Sequence, residues 1–271
     1  MEELMRYFIR LSYRGAGFSG WQIQENAHTV EAEVEKALNT LLGKNLDSQT
    51  STPKSIDVVG AGRTDTGVNA KGFYAHFDSS SKELILNPRK IIYKLNAILP
   101  AGISICDIIP VHKDAHARFD ATSRTYKYYV HCGKDPFCET YSYFCKFDLD
   151  IEAMNKGAEL LLGKKDFSCF EKMNGGNATS ICEVTHAKWE EYQPIVKGCD
   201  SAKYLVFTIS ANRFLRNMVR AIVGSLMEIG RGKREPEWID RLLLEQNRCA
   251  AGQSVPGHAL FLVDIKYPYI D

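Results

Sequence analysis

The sequence lacks the long apolar runs and paired metal-binding cysteines that would assign it to several common protein classes. No apolar stretch reaches the roughly 20 residues needed to cross a bilayer, and the start from Met1 to Arg6 lacks the layout of a signal peptide. The eight cysteines form no C-x-x-C pair, and their spacing to histidine does not suit zinc. We therefore expect a cytoplasmic protein with reduced thiols, no membrane span and no bound metal.

A strong charge of either sign is absent as well. The net charge is +1 over 271 residues, with 25% charged and 45% hydrophobic residues, which is the composition of an ordinary globular protein. This balance neither supports nor excludes a nucleic-acid partner, so any basic surface for one has to be local. The length suffices for one large domain or two domains of moderate size.

Helical and strand patterns interleave without the regular alternation of a doubly wound fold, which favours an α+β fold. The apolar spacing predicts helices over 30–42, from Pro88 to Leu99, after Asp150 and from Phe214 to Ile229. Predicted strands include Tyr7 to Tyr13, Ile56 to Val59, Gly72 to Phe77, Arg124 to Val130 and Leu260 to Ile265. We expect a domain division near residue 110, between halves at 1–110 and 111–271.

The glycine-rich stretch from Gly60 to Ala70 carries one carboxylate, Asp65, close to Arg63. Glycines permit positive φ and close approach to a ligand, so this stretch is either a catalytic loop or a simple turn. Nucleotide-binding motifs do not fit, because Asp65 stands where G-x-G-x-x-G needs glycine and no lysine follows Gly67. The triplet Asp65-Thr66-Gly67 matches aspartic proteases, but the sequence has no second copy, so that function would require a homodimer.

A second stretch interleaves cations with aromatic residues. Its members are Arg118, Phe119, Arg124, Tyr126, Lys127, Tyr128 and Tyr129. Cations follow a phosphate backbone and aromatic faces stack on unpaired bases, so this mixture suits an unpaired or flipped nucleotide. A half-buried strand with a charged outer face would give the same pattern.

The helix predicted from Phe214 to Ile229 places Arg220 at the edge of its apolar stripe. An unpaired buried charge is unfavourable. Arg220 therefore either pairs with an acid, for which Asp65 is the natural candidate, or extends along the helix to solvent. Pairing would keep Asp65 ionised, as a nucleophile must be.

Together the three stretches resemble the TruA family of tRNA pseudouridine synthases over nearly the whole chain. The matching motifs are Ala61-Gly62-Arg63-Thr64-Asp65-x-Gly67-Val68, His116-Ala117-Arg118-Phe119-x-Ala121-Thr122 followed by Arg124-x-Tyr126-x-Tyr128, and Phe214-Leu215-x-Asn217-Met218-Val219-Arg220-x-Ile222-Val223-Gly224. Asn69 and Ala259 depart from the family pattern, in which His and Gly are common at these positions.

The resemblance implies roles for individual residues. Asp65 would be the catalytic nucleophile and Arg220 the arginine that pairs with it, while Tyr126 would stack on the target uracil. The other implied substrate contacts are Arg63, which would help to extract the nucleotide, Leu260, which would pack against the base, and Arg118 and Arg124, which would stabilise the splayed backbone.

The family's fold would be two similar α/β halves of ferredoxin or RRM type, with mainly antiparallel sheet flanking a central basic cleft. The implied reaction isomerises uridines 38 to 40 in the anticodon arm of tRNA to pseudouridine, with no metal or organic cofactor. The enzyme would be a cytoplasmic homodimer with tRNA as its partner. A non-catalytic RNA-binding module is the alternative function, and a dimeric aspartic protease is a more distant one.

Overall fold

A computed structural model describes residues 4–43, 55–172, 179–198 and 201–270. The chain forms two compact units, the first made of Met1–Ala121 with Ile265–Asp271 and the second of Thr122–Asp264. Both units combine helices with mostly antiparallel strands, which confirms the predicted α+β class. The expected division into domains at 1–110 and 111–271 remains a prediction.

The first unit contains an antiparallel sheet in the order β4-β1-β3, and the short strand β2 pairs with β3. Its strands are β1 (Met5–Tyr13), β2 (Val59–Gly60), β3 (Asn69–Ser79) and β4 (Ile103–Val111). Its helices are α1 (Val30–Leu42), α2 (Glu83–Leu86) and α3 (Pro88–Ile98). Alternate residues of β1 and the apolar faces of α1 and α3 are buried, among them Ile9, Leu11, Leu38 and Leu95.

The second unit contains antiparallel strands in the order β5-β9-β8-β7, and β6 pairs in parallel with β5. Its strands are β5 (Ser123–Cys132), β6 (Tyr143–Phe144), β7 (Gly163–Asp166), β8 (Ile181–Glu191) and β9 (Lys203–Ala211). Its helices are α4 (Ile151–Glu159), α5 (Met218–Gly230) and α6 (Trp238–Glu245). Strand β10 (Leu260–Lys266) begins in this unit, and its last two residues belong to the first.

Helices α4 and α5 pack against each other in the second unit. The predicted cap of α4 is confirmed, because the Asp150 carboxylate accepts a hydrogen bond from the Ala153 N–H at 3.0 Å. The two helices approach closely at Gly157, where an added Cβ would lie 2.9 Å from the Ile229 side chain. Among the described residues, none of the helices is long and apolar enough to cross a membrane.

Two predicted boundaries were wrong, each for a local reason. Helix α5 begins at Met218 rather than at Phe214, because Asn217 before it has a left-handed backbone with φ of 67°. Arg216 therefore lies outside the helix, whereas Arg220 lies in its first turn. Strand β2 does not include Ile56, since the Ile56 N–H donates at 2.8 Å to the side chain of Asn39 on α1 instead of to a strand.

Candidate active site

Asp65 lies half-buried on the loop between β2 and β3, residues 61–68, which we call the Asp65 loop. This loop contains a tight turn, in which the Val68 N–H donates a hydrogen bond to the Asp65 carbonyl at 3.1 Å. Gly67, at the third position of the turn, has φ of 78°, as in a type II turn, which favours glycine there. Asp65 thus opens a turn that depends on Gly67, and Arg63 is exposed just before it.

A second loop, residues 14–21 after β1, supports the Asp65 loop on both sides of the carboxylate, and we call it the Gly15 loop. Before Asp65, the Trp21 N–H donates to the Thr64 carbonyl at 3.4 Å. After Asp65, the buried Asn69 side chain accepts a hydrogen bond from the Gly15 N–H at 2.9 Å. The position of Asp65 is therefore fixed through its neighbours on either side.

The close approach of the two loops requires glycine in the Gly15 loop. An added Cβ on Gly20 would lie 2.2 Å from the Thr64 carbonyl oxygen, and Gly20 also has φ of 90°. An added Cβ on Gly15 would lie 2.4 Å from the backbone of Gly67. Any side chain at either position would displace the backbone that carries Asp65.

The buried carboxylate of Glu31, on α1, anchors the end of the Gly15 loop. It accepts hydrogen bonds from the Trp21 Nε1–H at 3.0 Å and from the Ile23 N–H at 2.8 Å. Burial raises the pKa of Glu31, although these hydrogen bonds and the charge of Arg63 act in the opposite direction. Arg63 is thus within electrostatic reach of the carboxylate that holds Trp21.

Arg118 is exposed on the segment between β4 and β5, and two histidines hold the backbone around it. The Ala117 N–H donates to His76 Nδ1 at 3.1 Å, and the Arg118 N–H donates to His116 Nδ1 at 3.1 Å. Each ring nitrogen must carry a lone pair to accept its bond, so both histidines are neutral in this arrangement. Burial lowers the pKa of His76 to about 4 and also lowers the pKa of His116.

The closing residues of the chain secure the same segment within the first unit. The Tyr267 hydroxyl donates to the Ala117 carbonyl at 2.6 Å. The Tyr269 hydroxyl donates at 2.7 Å to the carboxylate of Asp120, which also accepts the His116 N–H at 2.7 Å. The backbone on both sides of Arg118 is therefore hydrogen-bonded to ordered partners.

Tyr126 and Arg124 lie on β5 in the second unit. Tyr126 is half-buried opposite Ile209 of β9, and its ring meets the Phe214 ring edge to face, with 5.1 Å between ring centres. Arg124 is two residues earlier on the same face of the strand, and its Nη1 donates to the Asn212 carbonyl at 2.7 Å. Strand pairing thus fixes the backbone beneath both side chains.

Arg220 is joined to the segment that leads into Leu260. Its Nε–H donates to the Val255 carbonyl at 2.7 Å, and the Val255 N–H donates back to the Arg220 carbonyl at 3.2 Å. The Tyr128 hydroxyl donates to the carbonyl of the next residue, Pro256, at 3.0 Å. Leu260 is buried where β10 begins, so its position depends on a segment held by Arg220 and Tyr128.

Helix α5 holds the earlier part of this segment as well. The Gly252 N–H donates to the buried Ser225 hydroxyl at 2.9 Å. An added Cβ on Gly224 would lie 1.9 Å from the Gln253 carbonyl oxygen, so the segment rests directly on the helix backbone.

The predicted site residues fall on both units. The first unit carries Asp65, Arg63 and Arg118, and the second carries Arg124, Tyr126, Arg220 and Leu260. Sequence patterns did not identify the positioning contacts, above all those of Asn69 and Val255, because their partners lie far away in the chain. Among the described residues, no group of three or more His, Cys, Asp or Glu could hold a metal ion.

Known proteins resemble the chain over most of its length. A family model described as tRNA pseudouridine synthase matches residues 158–268. A tRNA pseudouridine synthase A of Bacteroides thetaiotaomicron is 46% identical over 265 residues, which are 98% of this chain and 91% of that protein. The protein of the same name from Parabacteroides distasonis is 47% identical over 265 residues, or 98% and 97% of the two chains. The protein of the same name from Halalkalibacterium halodurans is 38% identical over 260 residues, which are 95% of this chain and 90% of that protein.

Proposed function

The chain belongs to the tRNA pseudouridine synthase A family, and we propose that Asp65 is the nucleophile of its reaction. As a member of this family, the enzyme is an isomerase that converts uridine in tRNA to pseudouridine. The N-glycosidic bond of the uridine breaks, the base rotates, and its C5 bonds to C1′ of the ribose. C5 loses a proton and N1 gains one, so no atom is added to the nucleotide or removed from it.

The observation that carries the assignment of Asp65 is the double support of its loop. A nucleophile needs a fixed direction of attack, and positioning contributes a large share of many enzymatic rates. Asp65 is half-buried between Thr64 and Asn69, and the Thr64 carbonyl and the Asn69 side chain both accept hydrogen bonds from backbone N–H groups of the Gly15 loop. The carboxylate would attack either C1′ of the ribose or C6 of the base, or would assist a glycal route.

The remaining site residues would serve the flipped nucleotide. A base inside a stem or loop has to leave its stack before it reaches a carboxylate, which costs a few kcal/mol. Exposed Arg63 would help to extract the nucleotide, and Arg118 and Arg124 would bind the splayed phosphates. Tyr126 and Leu260 would pack against the two faces of the uracil.

Arg220 is the proposed partner that keeps Asp65 ionised. A guanidinium has five N–H donors in a fixed planar array, so its bond to the Val255 carbonyl is compatible with a second partner. In this role Arg220 would also link the nucleophile to the segment before Leu260, because the same side chain holds Val255 at 2.7 Å.

The finer features of the family are part of the proposal. We propose that the substrate uridines are those at positions 38 to 40 of the anticodon arm. The enzyme would act as a cytoplasmic homodimer without a cofactor, with two similar halves flanking a basic cleft. Similarity to relatives over nearly their full length supports these features.

The reaction and its position can be tested on one RNA. We expect the purified protein to form pseudouridine at positions 38 to 40 of a tRNA transcript, as read by a pseudouridine-specific chemical map. A transcript with cytidine at those three positions is the control and should yield no product. The alternative, a non-catalytic RNA-binding module, predicts binding to both transcripts with no pseudouridine in either, and this result would overturn the proposed function.

A further inference from the structure

Two buried cysteines of the second unit, Cys132 and Cys145, lie side by side and have no role in the proposed reaction. Strands β5 and β6 pair in parallel, with His131 opposite Phe144. Cys132 follows His131 as the last residue of β5, and Cys145 follows Phe144 directly after β6. The Cys145 N–H donates to the His131 carbonyl at 2.9 Å, which is the bond expected if the parallel pairing continues by one residue. The two thiols therefore stand at facing positions of neighbouring strands.

This placement suits a disulfide. Neighbouring strands are about 4.8 Å apart, and disulfides bridge Cα atoms separated by roughly 4.4–6.8 Å. Cys132 and Cys145 are both free thiols, and both are buried. The sulfur atoms can therefore be joined without moving either strand out of its pairing.

We propose that Cys132 and Cys145 form a reversible disulfide when the protein meets a peroxide. The Cys145 sulfur attacks one peroxide oxygen, the O–O bond breaks, and the other oxygen leaves as hydroxide, which takes up a proton to become water. The resulting Cys145 sulfenic acid is then attacked by the Cys132 sulfur, the S–O bond breaks, and a second water leaves. Two thiols are oxidised to one disulfide while one peroxide is reduced to two waters.

The surroundings assign the attacking role to Cys145. The interaction between the two thiols lowers the pKa of Cys145 and raises that of Cys132. Burial raises the pKa of Cys145, whereas the charge of Arg231 lowers it further. The Arg231 guanidinium is held in place 3.8 Å from the ring centre of Phe147, two residues after Cys145. The thiolate is the reactive form of cysteine, so Cys145 attacks first and Cys132 resolves the intermediate.

The linkage can be read directly by mass spectrometry of the whole protein. After treatment with hydrogen peroxide and alkylation of the remaining thiols, we expect the tryptic peptide 128–134 to be joined to the peptide 135–146. Dithiothreitol should separate them again. Because Cys138 also lies on the second peptide, the Cys138→Ser variant must retain the link. Absence of this link at peroxide doses that oxidise the exposed Cys106 and Cys249 would overturn the proposal.

The order of attack is tested in a Cys106→Ser/Cys249→Ser background, which removes the two thiols that are exposed among the described residues. Cys132→Ser should accumulate a sulfenic acid at Cys145 that dimedone labels, whereas Cys145→Ser should leave Cys132 unlabelled. If the two cysteines only packed in the core, the two variants would not differ in dimedone labelling. Equal labelling in both variants, or labelling of Cys132 alone, would contradict the assigned roles. The cross-link in the unaltered chain stands as a test even if a variant fails to fold.

Discussion

The side-chain oxygen of Asn69 accepts a hydrogen bond from the backbone N–H of Gly15 at 2.9 Å, and both groups are buried. This bond ties the Gly15 loop to the first residue of β3, directly after the Asp65 loop. The resemblance to the family implies histidine at the position of Asn69, and a neutral imidazole nitrogen can also accept a hydrogen bond. The departure from the family pattern therefore preserves an acceptor at this site.

Replacing Asn69 by alanine removes that acceptor and leaves the buried Gly15 N–H without its partner. We expect Asn69→Ala to lower the free energy of unfolding by about 1–3 kcal/mol, the usual penalty for an unsatisfied buried donor. It should also lower kcat, because the Asp65 loop loses one of its two supports. Denaturant unfolding and steady-state kinetics measure the two effects.

Asn87→Ala is the matched control for this variant, since Asn87 is exposed and its side chain makes no capping bond to α3. Its free energy of unfolding should change by less than about 0.5 kcal/mol. If Asn69→Ala were as mild as Asn87→Ala in both stability and kcat, the support that we assign to Asn69 would be refuted.

Alanine variants of two glycines in the Gly15 loop distinguish the effect of backbone strain from the effect of displacing the Asp65 loop. Gly17 and Gly20 have φ of 87° and 90°, but an added Cβ meets nothing within 4 Å at Gly17 and lies 2.2 Å from the Thr64 carbonyl at Gly20. Both alanine variants should lose about 1–2 kcal/mol of stability from the left-handed backbone.

Only Gly20→Ala should also move the Asp65 backbone. A misplacement of about 1 Å reduces rates on the order of 100-fold, so we expect a kcat loss of that scale in Gly20→Ala and little loss in Gly17→Ala. Comparable kcat values for the two folded variants would show that Thr64 does not position the nucleophile.

The buried His76 makes stability depend on pH. Its pKa is lowered to about 4 in the folded protein from an ordinary value of 6.5, so the unfolded chain binds the proton more tightly. The contribution of neutral His76 to the free energy of unfolding is therefore fully present above pH 6.5, and it is lost as the pH falls towards 4. The slope from one such group approaches about 1.4 kcal/mol per pH unit.

His76→Gln tests this dependence, because an amide oxygen can accept the Ala117 N–H but does not titrate in this range. We expect the free energy of unfolding of the variant to fall less steeply than that of the unaltered protein below pH 6.5. His116 is present in both proteins, and its charge is one cause of the low pKa of His76. Parallel pH profiles would exclude His76 as the source.

Gly224 sets the contact between α5 and the segment before Leu260. Gly224→Ala places a Cβ 1.9 Å from the Gln253 carbonyl, and backbone at such a contact has to shift. We expect lower stability together with a higher KM for tRNA, because Leu260 is proposed to contact the base. Gly230→Ala, on the same helix, meets the flexible side chain of Met154 at 2.7 Å and should leave KM nearly unchanged. Equal KM values in the two variants would show that the contact at Gly224 does not influence tRNA binding.

Local patterns in the sequence predicted much of the fold. The apolar spacing over 30–42 predicted α1, which the structure has at Val30–Leu42, and Asp150 caps α4 as expected. The start of α5 could not be read from apolar periodicity, because it depends on the left-handed backbone of Asn217. The shortness of β2 depends on side chains of α1 that compete for its backbone.

The candidate site divides in the same way. Asp65, Tyr126 and Arg220 stand in short motifs and were visible as candidates from the sequence. The contacts that position them join residues far apart in the chain, such as Gly15 with Asn69 or Arg220 with Val255. A single sequence does not reveal which glycine faces which carbonyl, because these contacts exist only in the folded chain.

The most direct test of the central claim is the rate of pseudouridine formation by Asp65→Asn in a single turnover on saturated tRNA. Asparagine keeps the size of the side chain but removes the nucleophile, and we expect the rate to fall by about 10⁴-fold or more, with tRNA affinity largely unchanged. Asp57→Asn, an exposed aspartate of the same unit, should retain the full rate. A rate for Asp65→Asn within about tenfold of the unaltered enzyme would contradict the assignment of Asp65 as the nucleophile.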